Sequence, residues 1–296
     1  MKYLYYPGCS LKGTGRAYEE SLLAVFEALG LPLEELSHWN CCGATAYMAV
    51  DELQAFALAA RNLALAGQEM GREPVSLVAP CSACYLVLLK VQRYMAEYER
   101  LGRTVADALR ETGLHYRADV QVRHPLDVLV NDIGLETVSE HVTAPLEGLK
   151  VASYYGCQVV RPFALFDDRY DPMTMDDVVK ALGAEPVDWG LKARCCGGSM
   201  TGTIQEAGLR LSYIILREAR TRGADVVVTC CPLCQFNLEC YQPQMGRMFE
   251  EECDMPVVYF TQLMGRAMGI DDRTLGLHRL FTTLPATPAA VERSPA

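Results

Sequence analysis

Two short runs, residues 2–6 (KYLYY) and 150–155 (KVASYY), are aromatic or β-branched and each passes into a Gly-Cys pair. Such runs closed by a glycine turn predict strands that lead into loops. Between residues 16 and 29 the positions Tyr18, Leu22, Val25, Phe26 and Leu29 recur at helical spacing, with Gly30 as a stop. A second helix is expected from Asp51, as N-cap, to about Ala66, and a third from a Thr203/Glu206 capping box to about Arg220. Residues 75–79 and 225–229 are apolar runs consistent with buried strands of a parallel sheet, and each ends at a Cys-x-x-Cys.

The cysteines repeat with these elements. Cys9 is followed by Cys41 and Cys42, then by Cys81 and Cys84; Cys157 is followed by Cys195 and Cys196, then by Cys231 and Cys234. Cys157 stands 148 positions after Cys9, Cys195 stands 154 after Cys41, and Cys231 stands 150 after Cys81. The neighbours match as well: PGC with YGC, and CCGA with CCGG. The expected fold is therefore α/β and internally duplicated, two Rossmann-like α/β domains with cysteine loops at strand ends, where open α/β sheets bind ligands. The expected division is 1–145, 146–275 and a flexible tail 276–296, with residues 143–148 as linker and a tail that is aperiodic and rich in Pro and Ala.

Composition narrows the chemistry. Half of the 296 residues are apolar and 22% are charged, a globular balance for a chain long enough for two domains. The net charge of −10 repels phosphate backbones, so no nucleic-acid partner is expected. The opening MKYLYYPGCS lacks a secretory apolar stretch, and residues 56–66 are interrupted by Arg61 and Asn62. No export and no membrane span are expected, which places the chain in the cytoplasm, free or docked on a membrane complex. Thirteen cysteines in a reducing compartment point to metal or redox chemistry rather than structural disulfides.

Thiolates bind iron–sulfur clusters, zinc and copper(I). A structural zinc site takes four ligands, usually from paired knuckles. Each half here offers five: one lone cysteine, one adjacent pair and one Cys-x-x-Cys. Adjacent cysteines diverge, so both engage one centre only if it is large, as a multi-iron cluster is. Cubane clusters take four thiolates, and a fifth implies an unusual cluster or a labile ligand. Cys230, Cys240 and Cys253 lack counterparts in the first half and read as packing residues, with Cys230 beside a ligand loop. His38, Trp39 and the tyrosines at 5, 6, 154 and 155 read as loop or strand packing. Lys12 and Arg161, each within four residues of a lone cysteine, are candidates to meet cluster charge or an anionic substrate.

On GCS at Cys9, WNCCG at Cys41, APCSAC at Cys81, YYGCQVVRP at Cys157, RCCGG at Cys195 and CCPLCQFNL at Cys231, the chain resembles the twofold Cys-Cys-Gly proteins typified by the B subunit of heterodisulfide reductase, over residues 1–269. The resemblance implies two noncubane [4Fe-4S] clusters. One would be held by Cys9, Cys41, Cys42, Cys81 and Cys84, the other by Cys157, Cys195, Cys196, Cys231 and Cys234. It implies an oxidoreductase component that acts on a small disulfide or thiol, and its implied partners are the small iron–sulfur (C) and flavin-bearing (A) subunits of such a complex. In methanogen members a histidine follows the second lone cysteine. Here it is Gln158, a hydrogen-bonding group that does not titrate near neutrality. A duplicated site suits a two-electron thiol/disulfide reaction, one electron per cluster. The competing readings are a non-catalytic electron relay or membrane-complex adaptor, succinate/fumarate- or quinone-linked, and a zinc-binding scaffold.

Overall fold

The computed structural model describes residues 2–44, 46–71 and 74–285. In chain order the first half runs β1 (Lys2–Tyr5), α1 (Gly8–Leu11), α2 (Arg16–Ala28), β2 (Glu34–Glu35), α3 (Ala46–Val50), α4 (Glu52–Met70), β3 (Val75–Val78), α5 (Ser82–Glu97), α6 (Glu99–Glu111) and β4 (Gln121–Arg123). A connecting stretch holds α7 (Pro125–Val128), a π-helical turn and α8 (Leu135–Glu140). The second half runs β5 (Lys150–Tyr154), α9 (Thr174–Ala181), β6 (Glu185–Pro186), α10 (Met200–Thr203), α11 (Gln205–Thr221) and β7 (Val226–Thr229). It closes with α12 (Pro232–Glu239), α13 (Gln242–Phe249), β8 (Val257–Tyr259) and α14 (Phe260–Ala267).

Each half builds a parallel sheet of the same order, β2-β1-β3-β4 and β6-β5-β7-β8. Every residue of β3 and β7 is buried, which is why these strands read as unbroken apolar runs rather than alternating ones. The duplicated α/β architecture expected from the cysteine spacing is the observed one.

The chain packs as two compact units: the described residues of Met1–Gly13 and Pro32–Pro125, and those of Thr14–Leu31 and Leu126–Ala296. Helix α2 thus belongs to the second unit although its sequence lies in the first half, and a division at residue 145 does not coincide with the units. Its apolar face explains the placement. Tyr18 stacks on Tyr259 with ring centroids 4.4 Å apart, and Ser21 shares a 2.6 Å hydrogen bond with Thr261, both fully buried on α2 and at the start of α14.

Three local expectations are corrected. Residues 143–148 are not a free linker: the N–H groups of Thr143 and Ala144 donate to the Ala267 carbonyl at 3.0 and 2.9 Å, and Leu146 is buried. Residues 276–285 are not a loose tail. Arg279 holds Glu20 with two bonds of 2.7 and 2.8 Å, the N–H of Phe281 donates to Glu239, and Leu284 is buried. The rest of the expected tail, 286–296, lies outside the described residues. The Thr203/Glu206 capping box does not form, because Thr203 ends the helical turn α10 and its hydroxyl donates back to the Ser199 carbonyl. Asp51 does cap α4, accepting from the Gln54 N–H at 3.0 Å, and the helix runs on to Met70. Among the described residues no helix is long and apolar enough to cross a membrane.

Candidate metal centres

The ten repeated cysteines stand at the carboxyl ends of strands, five in each unit. Cys9 and Cys157 follow β1 and β5, the adjacent pairs lie in the loops after β2 and β6, and each Cys-x-x-Cys spans the junction of a strand and a helix, β3–α5 or β7–α12. In the first unit Cys41 Sγ lies 3.8 Å from Cys9 Sγ, and Cys42 Sγ 3.2 Å from Cys84 Sγ. In the second, Cys196 Sγ lies 3.7 Å from Cys234 Sγ, and Cys157 is hydrogen-bonded to Cys195. Cys84 and Cys234 are also hydrogen-bonded to Cys81 and Cys231, and all of these cysteines are free thiols. The thiols stand in touching pairs, and among the described residues no three His, Cys, Asp or Glu groups are arranged around a single ion.

Glycines make room for the sulfurs. Gly8, with φ +63°, would place a Cβ 3.0 Å from Cys84 Sγ, and Gly156, with φ +70°, would place one 2.7 Å from Cys234 Sγ. Only glycine satisfies both the left-handed backbone and the approach of the sulfur. The glycine of each Cys-Cys-Gly is required by packing: Gly43 lies against Ala55 of α4, and Gly197 against the backbone of Gly208 in α11, where a Cβ would fall 2.9 Å from Cα.

Backbone N–H groups turn toward the adjacent pairs, Gly43 and Ala44 toward Cys41 and Cys42, Gly197 and Gly198 toward Cys195 and Cys196. A donor two residues beyond each sulfur stabilises the thiolate, the form that binds metal. The hydrogen bond from Cys157, the Gly197 N–H and the Arg161 charge hold Cys195 down at about 6 against the burial that opposes them. Cys41 is likewise held low by bonds from Cys42 and Cys9, while Cys9 and Cys157 are pushed up as partners that keep the proton. Tyr6 and Tyr154 are buried over the two sites. Burial and then the surrounding cysteines raise both phenols, and each donates to the residue before a Cys-Cys pair, to Asn40 O at 2.8 Å and to Arg194 O at 2.7 Å. These two tyrosines therefore pin the loops as well as pack the strands.

The loops are tethered by different side chains in the two units, and the sequence did not mark them as tethers: Arg61 and Asn62 stood out only as polar breaks in an apolar run, Ser212 and Asn237 not at all. In the first, fully buried Asn62 accepts from the Asn40 N–H at 2.9 Å and donates to the Asn40 carbonyl at 3.0 Å, and Arg61 donates to His38 O and Asn40 Oδ1. In the second, Ser212 donates to the Cys196 carbonyl at 2.8 Å, and buried Asn237 donates to Gly198 O at 2.9 Å and to Cys196 Sγ at 3.4 Å. The one available signal was a lone polar residue on an apolar helix face, which does not reveal its partner.

Of the other candidates, Arg161 comes to the site, with its charge on Cys195 and its guanidinium on the Ala193 carbonyl. Lys12 is paired with Glu35 at 2.7 Å. Gln158 is half-buried at the turn beside Cys157. Cys230 is buried with its Sγ 3.8 Å from the Tyr155 carbonyl; Cys253 packs on the core of the second unit, and burial pushes the Cys240 thiol up to about 11.

A parallel α/β unit with five cysteines along one sheet edge, present twice, defines a class of duplicated cysteine-site proteins. The family description "Cysteine-rich domain" (CCG) matches residues 3–89 and 151–239. The chain belongs to this CCG family, carrying its domain twice, among the relatives of the heterodisulfide reductase B subunit. It is 32% identical to the 8-methylmenaquinol:fumarate reductase membrane anchor subunit of Wolinella succinogenes, over 94% of this chain and 95% of that one. It is 30% identical to a protein of Archaeoglobus profundus that is itself like the heterodisulfide reductase B subunit, over 92% of each. Identity is 28% to the B subunit of the ferredoxin/F(420)H(2)-dependent CoB-CoM heterodisulfide reductase of Methanosarcina acetivorans, over 94% of this chain and 93% of that one. A hypothetical protein from Helicobacter pylori shares the fold with a TM-score of 0.75 at 15% identity; the match covers 96% of this chain and 52% of that one.

Proposed function

We propose that each cysteine quintet holds a noncubane [4Fe-4S] cluster and that the chain is the disulfide/thiol-reacting member of a multisubunit electron-transfer complex of the heterodisulfide reductase type. The observation that carries this reading is the repetition of one thiol arrangement, lone cysteine against adjacent pair against Cys-x-x-Cys, at the same edge of two like-ordered sheets. The residues fit such a group. Five soft donors, glycines that admit the sulfurs and N–H groups aimed at the thiolates suit a large anionic centre.

When bound, iron–sulfur clusters supply electrons one at a time, and cleavage of a disulfide consumes two. The chain's own residues provide the rest. The Cys-Cys-Gly loops favour the thiolate at Cys41, Cys195 and Cys196, Tyr6 and Tyr154 fix those loops, and Arg161 offers a cation to an anionic thiolate. Gln158 can hydrogen-bond a sulfur but carries no proton to give near neutrality, so protonation of a product thiol draws on solvent or on another group. Partners of the flavin-bearing and small iron–sulfur types would connect the chain to its electron donors.

The Wolinella relative and a groove of about 660 Å³ on the first unit, lined by Leu53, Phe56, Tyr94, Tyr98 and Leu101 together with Glu52, Arg100 and Thr104, favour a second reading as a quinol-linked relay protein docked on a membrane complex. Addition of small thiols and disulfides to anaerobically prepared protein separates the two. The disulfide reading expects the visible and paramagnetic spectra to change at both centres. Iron-loaded protein whose spectra ignore every thiol and disulfide would leave the relay reading.

A further inference from the structure

The two cysteine sites are duplicates in their ligands and not in what surrounds them. Asn237, fully buried on α12, points its amide nitrogen at the Gly198 carbonyl and at Cys196 Sγ, while its oxygen accepts from the Thr201 hydroxyl at 2.8 Å. The Gly198 carbonyl can only accept, so the amide orientation is fixed and the second N–H is committed to the sulfur. Three residues after the last cysteine of the first quintet, where Asn237 stands in the second, the residue is Val87, buried and without an N–H to give. Cationic surroundings differ in the same sense. Arg161 puts its charge on Cys195 and is held in place by the Ala193 carbonyl, whereas the corresponding position after Cys9 is Gly13, Lys12 is paired with Glu35, and the arginine of the first loop, Arg61, is bound to His38 O and Asn40 Oδ1.

A hydrogen bond to a ligand sulfur and a nearby positive charge both stabilise the more negative, reduced form of an iron–sulfur centre, and so raise its reduction potential. Cys157 is half-buried where Cys9 is exposed, and burial acts the other way. That difference touches one ligand of five, whereas the amide and the guanidinium act directly on the adjacent pair. We propose that Asn237 and Arg161 make the second site the higher-potential member of the pair, the one that takes and keeps the first electron. The inference rests on the assignment of a cluster to each quintet.

Anaerobic redox titration followed by paramagnetic resonance and visible absorption, with iron and sulfide measured in each preparation, tests it. The wild-type chain is expected to give two waves. Asn237→Val lowers the upper wave by on the order of tenfold in electron affinity, 59 mV for a one-electron couple, and leaves the lower wave in place. Arg161→Gln, outside the packed core, lowers the same wave. Val87→Asn raises the lower one. Coincident waves in the wild type, or an upper wave unmoved by both Asn237→Val and Arg161→Gln in fully loaded protein, overturn the inference and leave the cluster assignment standing. A wild-type preparation without iron and sulfide overturns both. If Asn237→Val loses its metal, Arg161→Gln and Val87→Asn decide the question.

Discussion

Replacing Gly156 by alanine should empty one cysteine site and spare the other. The new Cβ would stand 2.7 Å from Cys234 Sγ. Unbonded heavy atoms rest about 3.5–4.0 Å apart, so the sulfur must retreat by roughly 1 Å. Ligand constellations tolerate displacements of about 0.5 Å, half of that. The left-handed backbone at φ +70° adds about 1–2 kcal/mol for a residue with a Cβ. Gly8→Ala makes the matching perturbation in the first unit, where the Cβ would meet Cys84 Sγ at 3.0 Å. Gly30 is the control: its φ is +74° and nothing lies within 4 Å of its Cβ position, so Gly30→Ala carries the backbone cost alone. Iron and acid-labile sulfide are counted per chain after anaerobic preparation, and melting is followed in parallel. Gly156→Ala and Gly8→Ala should each retain about half of the wild-type iron, because each leaves the other unit untouched. Gly30→Ala should keep all of it and melt lower by about 2–8 °C. Full iron and sulfide in Gly156→Ala would refute the reasoning that the glycine exists to admit a ligand sulfur.

Three further outcomes are expected. Asn62→Ala leaves the Asn40 N–H without its buried acceptor, which costs about 1–3 kcal/mol and loosens the first Cys-Cys loop; iron analysis should show loss from the first site while the second stays filled, and uniform loss from both sites contradicts the assignment of the tether. Tyr18→Ala removes a fully buried ring stacked on Tyr259 and should cost about 3–5 kcal/mol in the melting of the second unit, followed by the fluorescence of Trp189 in a Trp39→Phe background; an unchanged transition contradicts the placement of α2. Glu239 is raised by burial, against the bonds it accepts from Thr282 and Phe281. A carboxyl raised in the folded state contributes stability below its unfolded value and loses it as pH rises through the folded one. Glu239→Gln should therefore melt above the wild type at pH 8, with the gap closing toward pH 4; a gap independent of pH would contradict the burial account.

The thiol quintets were legible because their signal is local and periodic: two Cys-x-x-Cys pairs, two adjacent pairs and two Gly-Cys turns recur in register, and each follows a strand-like run. The strands β3 and β7 were legible for the same reason. Long-range partnership was not. The face of α2 announced burial, but a helical stripe does not say against what, and the stacking of Tyr18 on Tyr259 joins residues more than two hundred positions apart. Thr203 and Glu206 have the spacing of a capping box, yet the close approach of Gly208 to the α10 turn, where a Cβ would meet the Thr201 nitrogen at 2.5 Å, fixes the start of α11 without one. Residues 276–285 showed no period because they dock through a few anchors, Arg279 on Glu20 and the buried Leu284, rather than through a regular face. Asn237 and Asn62 are fully buried amides in helices that carry other amides too, Gln235 in α12 and Gln54 and Gln68 in α4. Nothing in one sequence separates them from other buried amides until the loops they hold are in place.

The metal content of the oxygen-free wild-type chain tests the central claim most directly. Ten cysteines in two quintets predict about eight iron and eight acid-labile sulfide per chain, with a brown colour that bleaches on reduction. Zinc in place of iron, with no sulfide released by acid and none taken up on reconstitution with both elements, would contradict the account.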